Sequence, residues 1–292
     1  MDISVIIINF RTPQLTKACV ESVEKVFKDS SYTYEVVVVD NCSNDGRFEE
    51  LNALQSDTVK VYETPKNGGF GYGNNFGVAR SSGEYIFFLN SDTILYPNVI
   101  EEMLTCMKND EKLGALTCYM EDGERFPLVV SHKFENAKTL FLQTVIKPLT
   151  PKFFLRKRAE LYQAKQAEGI IPCDWVSGAG MLMPRRVFEE VGAWNETFFM
   201  YMEDEELCLR IHKAGYEVGV YPKTGLQHLI GRSGGSAFVA YEQYKSKIIY
   251  YRLVNKKDKR LVKKLVFMQA KQYMKHLPKQ ERKDVIKRLK GV

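Results

Sequence analysis

The chain opens on short apolar runs that each end in polar residues. Ile3 to Asn9 is a β-branched run without alternation, the pattern of a strand buried on both faces. Thr12-Pro13 then supplies an N-cap residue and a proline for the first helical position, and Leu15, Cys19, Val23 and Val26 continue one helix face. Tyr34 to Asp40 predicts a second buried strand, followed by the polar loop Asn41 to Gly46, and Val59 to Tyr62 predicts a short third. A glycine-rich helix start spans Phe70 to Arg80, and Glu84 to Asn90 predicts a fourth strand that runs into Asn90-Ser91-Asp92.

Further on, the segment Glu121 to Pro172 mixes aromatics with cations (Phe153, Phe154, Arg156, Lys157, Arg158) and has the look of an insertion or lid. Asp174 to Met183 returns to small and apolar residues. Pro184 to Val191 predicts a short helix stopped by Gly192, and Glu203 to Ala214 a second one, with Leu207, Ile211 and Ala214 on one face and Gly215 as its stop. Tyr216 to Tyr221 predicts a last strand, and after Gly235 the chain becomes helical and basic. Continuous apolar strands separated by helices predict an α/β fold with a Rossmann-like, mostly parallel central sheet flanked by helices. That α/β domain covers residues 1–236, and residues 237–292 form a basic helical C-terminal extension. In such sheets ligands bind outside the carboxyl ends of the strands. Asn9, Asp40 with Asn41, and Asn90 with Asp92 all fall at those ends.

A length of 292 residues suits one large domain or one domain plus an appendage. No apolar run approaches the roughly 20 residues of a membrane-spanning helix, and no basic leader precedes the first strand, so a soluble or peripheral cytoplasmic protein is expected. The six cysteines form no Cys-x-x-Cys pair, which argues against a zinc site and for reduced thiols. Charge is uneven: from Lys245 onward there are 17 Lys and Arg against three acids, and before it 25 against 33. An acidic body with a basic tail points to an anionic partner for the tail, a membrane surface before nucleic acid.

Four constellations carry candidate chemistry. Asp92, just past a buried strand, is placed to hold a hard cation that bridges a diphosphate, or else to cap the helix that starts near Pro97. The stretch Asn67 to Gly77 holds five glycines besides Asn74 and Asn75, which lets a backbone approach a phosphate or sugar. It follows the third strand rather than the first, which excludes a nicotinamide fingerprint. Glu203-Asp204-Glu205-Glu206 follows the apolar run Phe198 to Met202, which would bury at least one acid and raise its pKa toward useful base strength. His228 is expected in a glycine-rich loop after the last strand and is either structural or a metal ligand.

In this order these residues resemble glycosyltransferase family 2, of GT-A fold, from Ile3 to about Ser236. The pieces are Val5 to Asn9, Val38 to Asn41 with Ser43, Asn67 to Asn75, Leu89 to Asp92, Ser177 to Gly180, Phe198 to Asp204 and Cys208 to Arg210. The glycine-rich and Phe-Met-Tyr-Met-Glu-Asp pieces look particularly like rhamnosyltransferases of bacterial surface polysaccharides. The resemblance implies that Asp40 accepts from the nucleobase and that Asn9, Arg11, Asn41, Asn67, Gly69, Gly73, Asn74, Asn90 and Ser91 surround the nucleotide sugar. It further implies that Asp92 and His228 hold Mg2+ or Mn2+, and that Gly178 and Ala179 line the sugar and acceptor pocket. Asp204 would be the base, with Glu203 the nearest alternative. Asn90 stands where the family's first Asp of Asp-x-Asp is found.

The reaction so implied is a single inverting displacement. It would move L-rhamnose from dTDP-L-rhamnose, or a hexose from a UDP-sugar, to a hydroxyl of a lipid-linked saccharide on the inner face of the plasma membrane. Trp175 and Trp194 would stack on sugar or fill core. The tail pattern (Ile248, Ile249, Leu253, Leu261, Leu265, Val266, Met268 among Lys and Arg) is amphipathic and suits an anionic membrane; its alternatives are a solvated tail or a homo-oligomer interface. A nucleotidyltransferase would need a basic glycine-rich loop after the first strand, which Asn9-Phe10-Arg11-Thr12 is not, and a non-catalytic scaffold would not need all of Asp40, Asp92 and Asp204.

Overall fold

The structure, a computed structural model, describes residues 1–128, 130–146, 169–229, 236–254 and 259–292. Its first half alternates strand and helix: β1 (Ile3–Asn9), α1 (Pro13–Phe27), β2 (Tyr34–Asp40), α2 (Phe48–Asn52), β3 (Val59–Glu63), α3 (Phe70–Val78), β4 (Tyr85–Asn90), β5 (Thr93–Leu95) and α4 (Val99–Asn109). Then come β6 (Leu113–Glu121), β7 (Ser131–His132), α5 (Ala137–Phe141), β8 (Ile171–Pro172), β9 (Trp175–Val176), β10 (Gly180–Pro184), α6 (Arg185–Val191), α7 (Glu203–Lys213) and β11 (Glu217–His228). The tail is α8 (Ala237–Val254), α9 (Lys259–Tyr273) and α10 (Lys279–Lys290).

Among the described residues the main sheet runs β3-β2-β1-β4-β10-β6-β11-β5, with β8 beside β11. The β3-β2-β1-β4 block is parallel, and β6 is parallel to β11; β10 and β5 enter antiparallel. The parallel block is where the sequence shows unbroken β-branched runs: Val5 to Ile7 and Val36 to Val39 are fully buried. Its register aligns the polar strand ends. Asn9 lies level with Asp40, and Ile8 with Asn90. At the same edge the antiparallel entry of β10 brings Ala179 beside Asn90, whose N–H donates to the Ala179 carbonyl at 3.0 Å.

Helix α3 lies unusually close to the sheet. A Cβ at Gly77 would stand 2.7 Å from Ile6 Cγ2 and 3.1 Å from Val39 Cγ2, so only glycine fits there. Helix α1 is capped from outside. Thr12 makes no side-chain cap; instead Asn9 Oδ1 accepts the Thr12 N–H and both the Thr12 and Thr16 hydroxyls.

Several expectations are corrected. β6 and the short strands β5, β7, β8 and β9 have no counterpart in the pattern reading. β11 continues past Tyr221 to His228, because a register shift between Tyr221 and Gly225 absorbs Pro222. His228 therefore ends a strand, paired with Thr93, rather than sitting in a loop. The described part of the predicted insertion holds ordered pieces, including α5 with an Asn136–Thr139 capping box; Phe153, Phe154 and Arg156 to Arg158 lie outside the described residues. All six cysteines are free thiols, as expected.

The tail is a second core, not an open amphipathic ribbon. Tyr244, Ile248, Tyr251, Leu265, Val266, Met274 and Leu289 are buried together with Leu140 and Phe198 of the body. Polar contacts lock it down: Lys247 Nζ meets Glu135 at 3.0 Å, Tyr251 donates to Glu135 at 3.1 Å, and Ser246 donates to the Met200 carbonyl at 2.8 Å. Ile248, Leu265 and Val266, counted above toward a membrane-facing stripe, thus face inward.

Close α3–sheet packing leads to a direct expectation. Gly77→Val should lower the unfolding free energy by about 2–3 kcal/mol, the usual penalty of overpacking, whereas Gly291→Ala, in right-handed helical backbone with its nearest neighbour at 3.4 Å, should leave it unchanged. Urea titration checks this; equal stability of the two variants would contradict it.

Candidate functional site

A cleft of about 320 Å3 opens at the carboxyl edge of β1, β2 and β4. Asn41, Asn67, Gly69, Asn90, Ser91 and Asp92, all candidates from the sequence, line it. Its apolar wall is Phe10, Phe70, Phe199, Met200 and Phe238. Asn41 Nδ2 donates to Asn67 Oδ1 and the Gly69 carbonyl at 3.1 and 2.9 Å, which binds the end of β2 to the glycine-rich turn. Gly69 has φ +93, and the Phe70 N–H that follows donates to the Phe199 carbonyl at 2.8 Å.

Behind the cleft, Asp40 is buried. Its carboxylate accepts from Asn9 Nδ2 and Ser43 Oγ, both at 2.5 Å, and from the Ser43 N–H at 3.0 Å. Ser43 also fixes Arg11, whose N–H donates to Ser43 Oγ at 2.9 Å while its Nε donates to the Ser43 carbonyl at 3.1 Å. Asn9, Asp40 and Ser43 therefore form a floor rather than a wall. Gly73 backs the cleft against Ile8 and Asn41. Asn74 is buried, with Nδ2 on the Phe70 carbonyl and Oδ1 without a partner among the described residues.

One corner gathers ligand-type atoms. Asp92 Oδ1 and His228 Nε2 are 3.1 Å apart, and Asn90 Nδ2 is 3.3 Å from the same ring nitrogen. Among the described residues no three His, Cys, Asp or Glu converge. A carboxylate and an imidazole side by side fit a cation that completes its shell with diphosphate oxygens and water, as Mg2+ does at phosphate sites.

The second polar centre is the start of α7. Tyr201 and Met202 both carry left-handed φ values, 67 and 69, and turn the chain sharply into the helix. The four acids that follow divide by partner. Glu206 is clamped by Arg210, whose Nε lies 3.0 and 3.1 Å from its two oxygens and whose guanidinium also holds the Val191 and Ala193 carbonyls. Glu205 is buried against the tail; it accepts the Glu135 N–H at 2.6 Å and a hydrogen bond from Tyr250, and burial pushes it up to about 7. Glu203 is buried with Oε2 unpartnered among the described residues. Asp204 accepts from the Glu205 N–H at 2.9 Å and from the Gly178 backbone. Burial raises the carboxyls of both Glu203 and Asp204, and the Asp204 charge raises Glu203 further.

The three acids expected around one hollow are thus arranged in depth. Asp92 lines the cleft, Asp40 is buried beneath it and bonded to Asn9 and Ser43, and Asp204 accepts from the Gly178 backbone, which packs on the cleft residue Phe70. Both tryptophans stand clear of the cleft lining: Trp194 is buried edge-on to Phe70 and Phe88 at 5.4 and 5.1 Å, and Trp175 stacks on His132 at 3.9 Å. Sequence reasoning missed Ser43 as a linchpin and Phe10, Phe199, Met200 and Phe238 as cleft walls. Phe199 and Met200 sit in a run that reads as buried, but only Phe198 is. Phe238 comes from the tail, edge-on to Phe199 at 5.8 Å, a contact that no local pattern announces.

A 27% identical match over 223 residues, 75% of this chain and 64% of the other, is with the low-salt glycan biosynthesis hexosyltransferase Agl10 of Haloferax volcanii. An N-acetylglucosaminyl-diphospho-decaprenol L-rhamnosyltransferase of Mycobacterium tuberculosis is 25% identical over 68% of each chain, and rhamnosyltransferase WbbL of Escherichia coli 29% over 58% of this chain and 64% of its own. The chain therefore spans about two thirds of the length of these relatives. Among solved structures, the mannosyltransferase PcManGT of Pyrobaculum calidifontis with GDP-Man and Mn2+ shares the fold at TM-score 0.58 and 14% identity, over 98% of this chain and 73% of its own. GalNAc-T7 with UDP, GalNAc and Mn2+ does so at 0.62 and 16%, over 98% of this chain and 54% of its own. The architecture is thus that of GT-A glycosyltransferases. The family model for glycosyl transferase family 2 matches residues 4–191, well over half of the sequence, and the chain belongs to that family.

Proposed function

We propose that this glycosyltransferase moves L-rhamnose from dTDP-L-rhamnose, with inversion, to a hydroxyl of a lipid-linked saccharide at the inner face of a membrane. The observation that carries this reading is the Glu203–Asp204 pair, Glu203 buried and Asp204 half-buried, which lies against Gly178 beside a cleft lined with amides and the Asp92 carboxylate. Rhamnose is favoured by the two relatives named as rhamnosyltransferases, one of which is named for a decaprenyl-diphosphate-linked substrate. A UDP-hexose is the second reading, supported by the hexosyltransferase relative and by the UDP in the solved GalNAc-T7 structure.

In this reading Asn41 and Asn67 orient the nucleoside and diphosphate, and Asp40 accepts from the nucleobase once the Ser43 loop yields a lone pair. Asp92 and His228, with Asn90, would hold Mg2+ or Mn2+, which offsets charge on the departing diphosphate. Asp204 takes the proton of the acceptor hydroxyl as that oxygen attacks the anomeric carbon and the C–O bond to the diphosphate breaks. Gly178, by donating to Asp204, holds the carboxylate in place. The unpartnered Glu203 oxygen disfavours a second buried charge, so Glu203 keeps its proton while Asp204 is ionised.

Three outcomes follow. Asp204→Asn should lower kcat about a thousandfold, within the range of general-base loss, with donor affinity unchanged; retained turnover would move the base to Glu203. Because burial raises the Asp204 carboxyl, the base is protonated, and so inactive, at higher pH than an ordinary aspartate near 4. The acid limb of kcat/KM should therefore fall well above pH 4, and a limb at about 4 would contradict the assignment. In a thermal-shift panel with Mg2+ or Mn2+, dTDP-rhamnose should stabilise most, and Asp92→Asn should remove the metal-dependent part of that shift; equal shifts for all sugars, or none, would defeat the donor reading.

A further inference from the structure

A second hollow, of about 470 Å3, lies in the tail between α9 and α10. Six cations line it: Lys271 from α9 and Lys279, Arg282, Lys283, Lys287 and Lys290 from α10; Met274 and Ile286 complete the lining, and no carboxylate takes part. The α10 positions follow i, i+3, i+4 spacing, so they form one helix face. Val285 and Leu289 on another face are buried in the tail core, while Glu281 and Asp284 belong to the remaining, exposed side. The tail's ion pairs among the described residues, Lys245–Glu242 and Lys247–Glu135, sit on α8, away from this groove.

Charge is not the only feature. Leu261, Lys264, Met268 and Lys271 recur at three- and four-residue steps and so share the outward face of α9. Leu261 is 52% and Met268 46% exposed on this face; Phe238, Leu253 and Tyr273 are the other exposed large apolar side chains among the tail's described residues. A cationic groove for phosphates, bordered by aliphatic side chains that water does not favour, suits a lipid headgroup layer. A nucleic acid would use the cations but gain nothing from an aliphatic pair.

We propose that the α9–α10 groove docks this chain on an anionic phospholipid surface, with headgroup phosphates held by Arg282, Lys283 and Lys287 and with Leu261 and Met268 entering the acyl boundary. The assignment rests on the membrane part of the reading above and is independent of the donor sugar. Of the stripe read from the sequence, Ile248, Leu265 and Val266 are buried in the tail core, and Leu261 and Met268 remain on the outward side of α9.

Cosedimentation of the full chain with phosphatidylglycerol–phosphatidylcholine vesicles, against phosphatidylcholine alone, tests it. The chain should bind only the anionic vesicles. R282Q/K283Q/K287Q should bind about a hundredfold more weakly, given what each cation contributes near such a surface, and K17Q/K25Q/K112Q, which removes equal charge from exposed positions on the body, should bind as the unaltered chain does. L261Q/M268Q should also weaken binding, at unchanged net charge, with circular dichroism confirming the fold of each variant. If both triple variants weaken alike, or if the groove triple binds normally, the groove assignment falls while membrane binding stands. No binding of the unaltered chain overturns both. Displacement by inorganic phosphate at matched ionic strength, or preference for single-stranded DNA over vesicles, overturns the lipid assignment. Transfer to a water-soluble acceptor should be equal in all variants, so failure of the transfer reading would register separately.

Discussion

The structure depends on one register. In the parallel block β2-β1-β4 the hydrogen-bond ladder sets Asn9 level with Asp40 and Ile8 level with Asn90, so three polar strand ends arrive at one edge. A slip of one residue would turn these side chains to the opposite face of the sheet. The register is pinned by burial on both faces of the β-branched runs, and by glycine at 77, which lets α3 settle onto Ile6 and Val39. From that edge the local chemistry follows. Asn9 caps α1 and steadies Asp40, Asp40 holds Ser43, and Ser43 holds Arg11.

The acidic start of α7 is the opposite kind of constraint. Burying carboxylates is costly unless each is paired or kept protonated. Glu206 is paired with Arg210, and Glu205 is satisfied by the Glu135 backbone and Tyr250, so two of the four acids are structural. Glu203 and Asp204 are left in close, apolar surroundings with opposed needs. In the proposed reading such a pair keeps one proton between them, which is the condition a general base requires near neutral pH. The tail helps build this centre. Tyr250 and Tyr251 meet Glu205 and Glu135, and Phe238 reaches the cleft, so the C-terminal helices belong to the site as well as to the periphery.

The parallel strands and the strand-end polar residues were readable because each is a local pattern: β1 and β2 match the expected spans residue for residue. The Asp92–His228 pairing rests on a resemblance, since the 135 residues between them obey no periodicity. β6 was missed although Leu113 to Cys118 is apolar, because Gly114 and the short run gave no helix–strand distinction. β11 was cut short at Pro222, a residue that ordinarily ends a strand, and the bulge that accommodates it cannot be inferred from composition. The tail was read as amphipathic, and it is, but its apolar side found a partner in α5 and Phe198, a tertiary choice invisible in the helix itself.

The central claim is that the edge built by β1, β2 and β4 receives a nucleotide sugar. Hydrogen–deuterium exchange with and without dTDP-rhamnose and Mn2+ tests it most directly. Protection should concentrate in the segments around residues 9–12, 41–43, 67–70, 90–92 and 227–229, leaving β3 and α4 unchanged. Protection confined to the tail helices, or spread evenly over the chain, would contradict it.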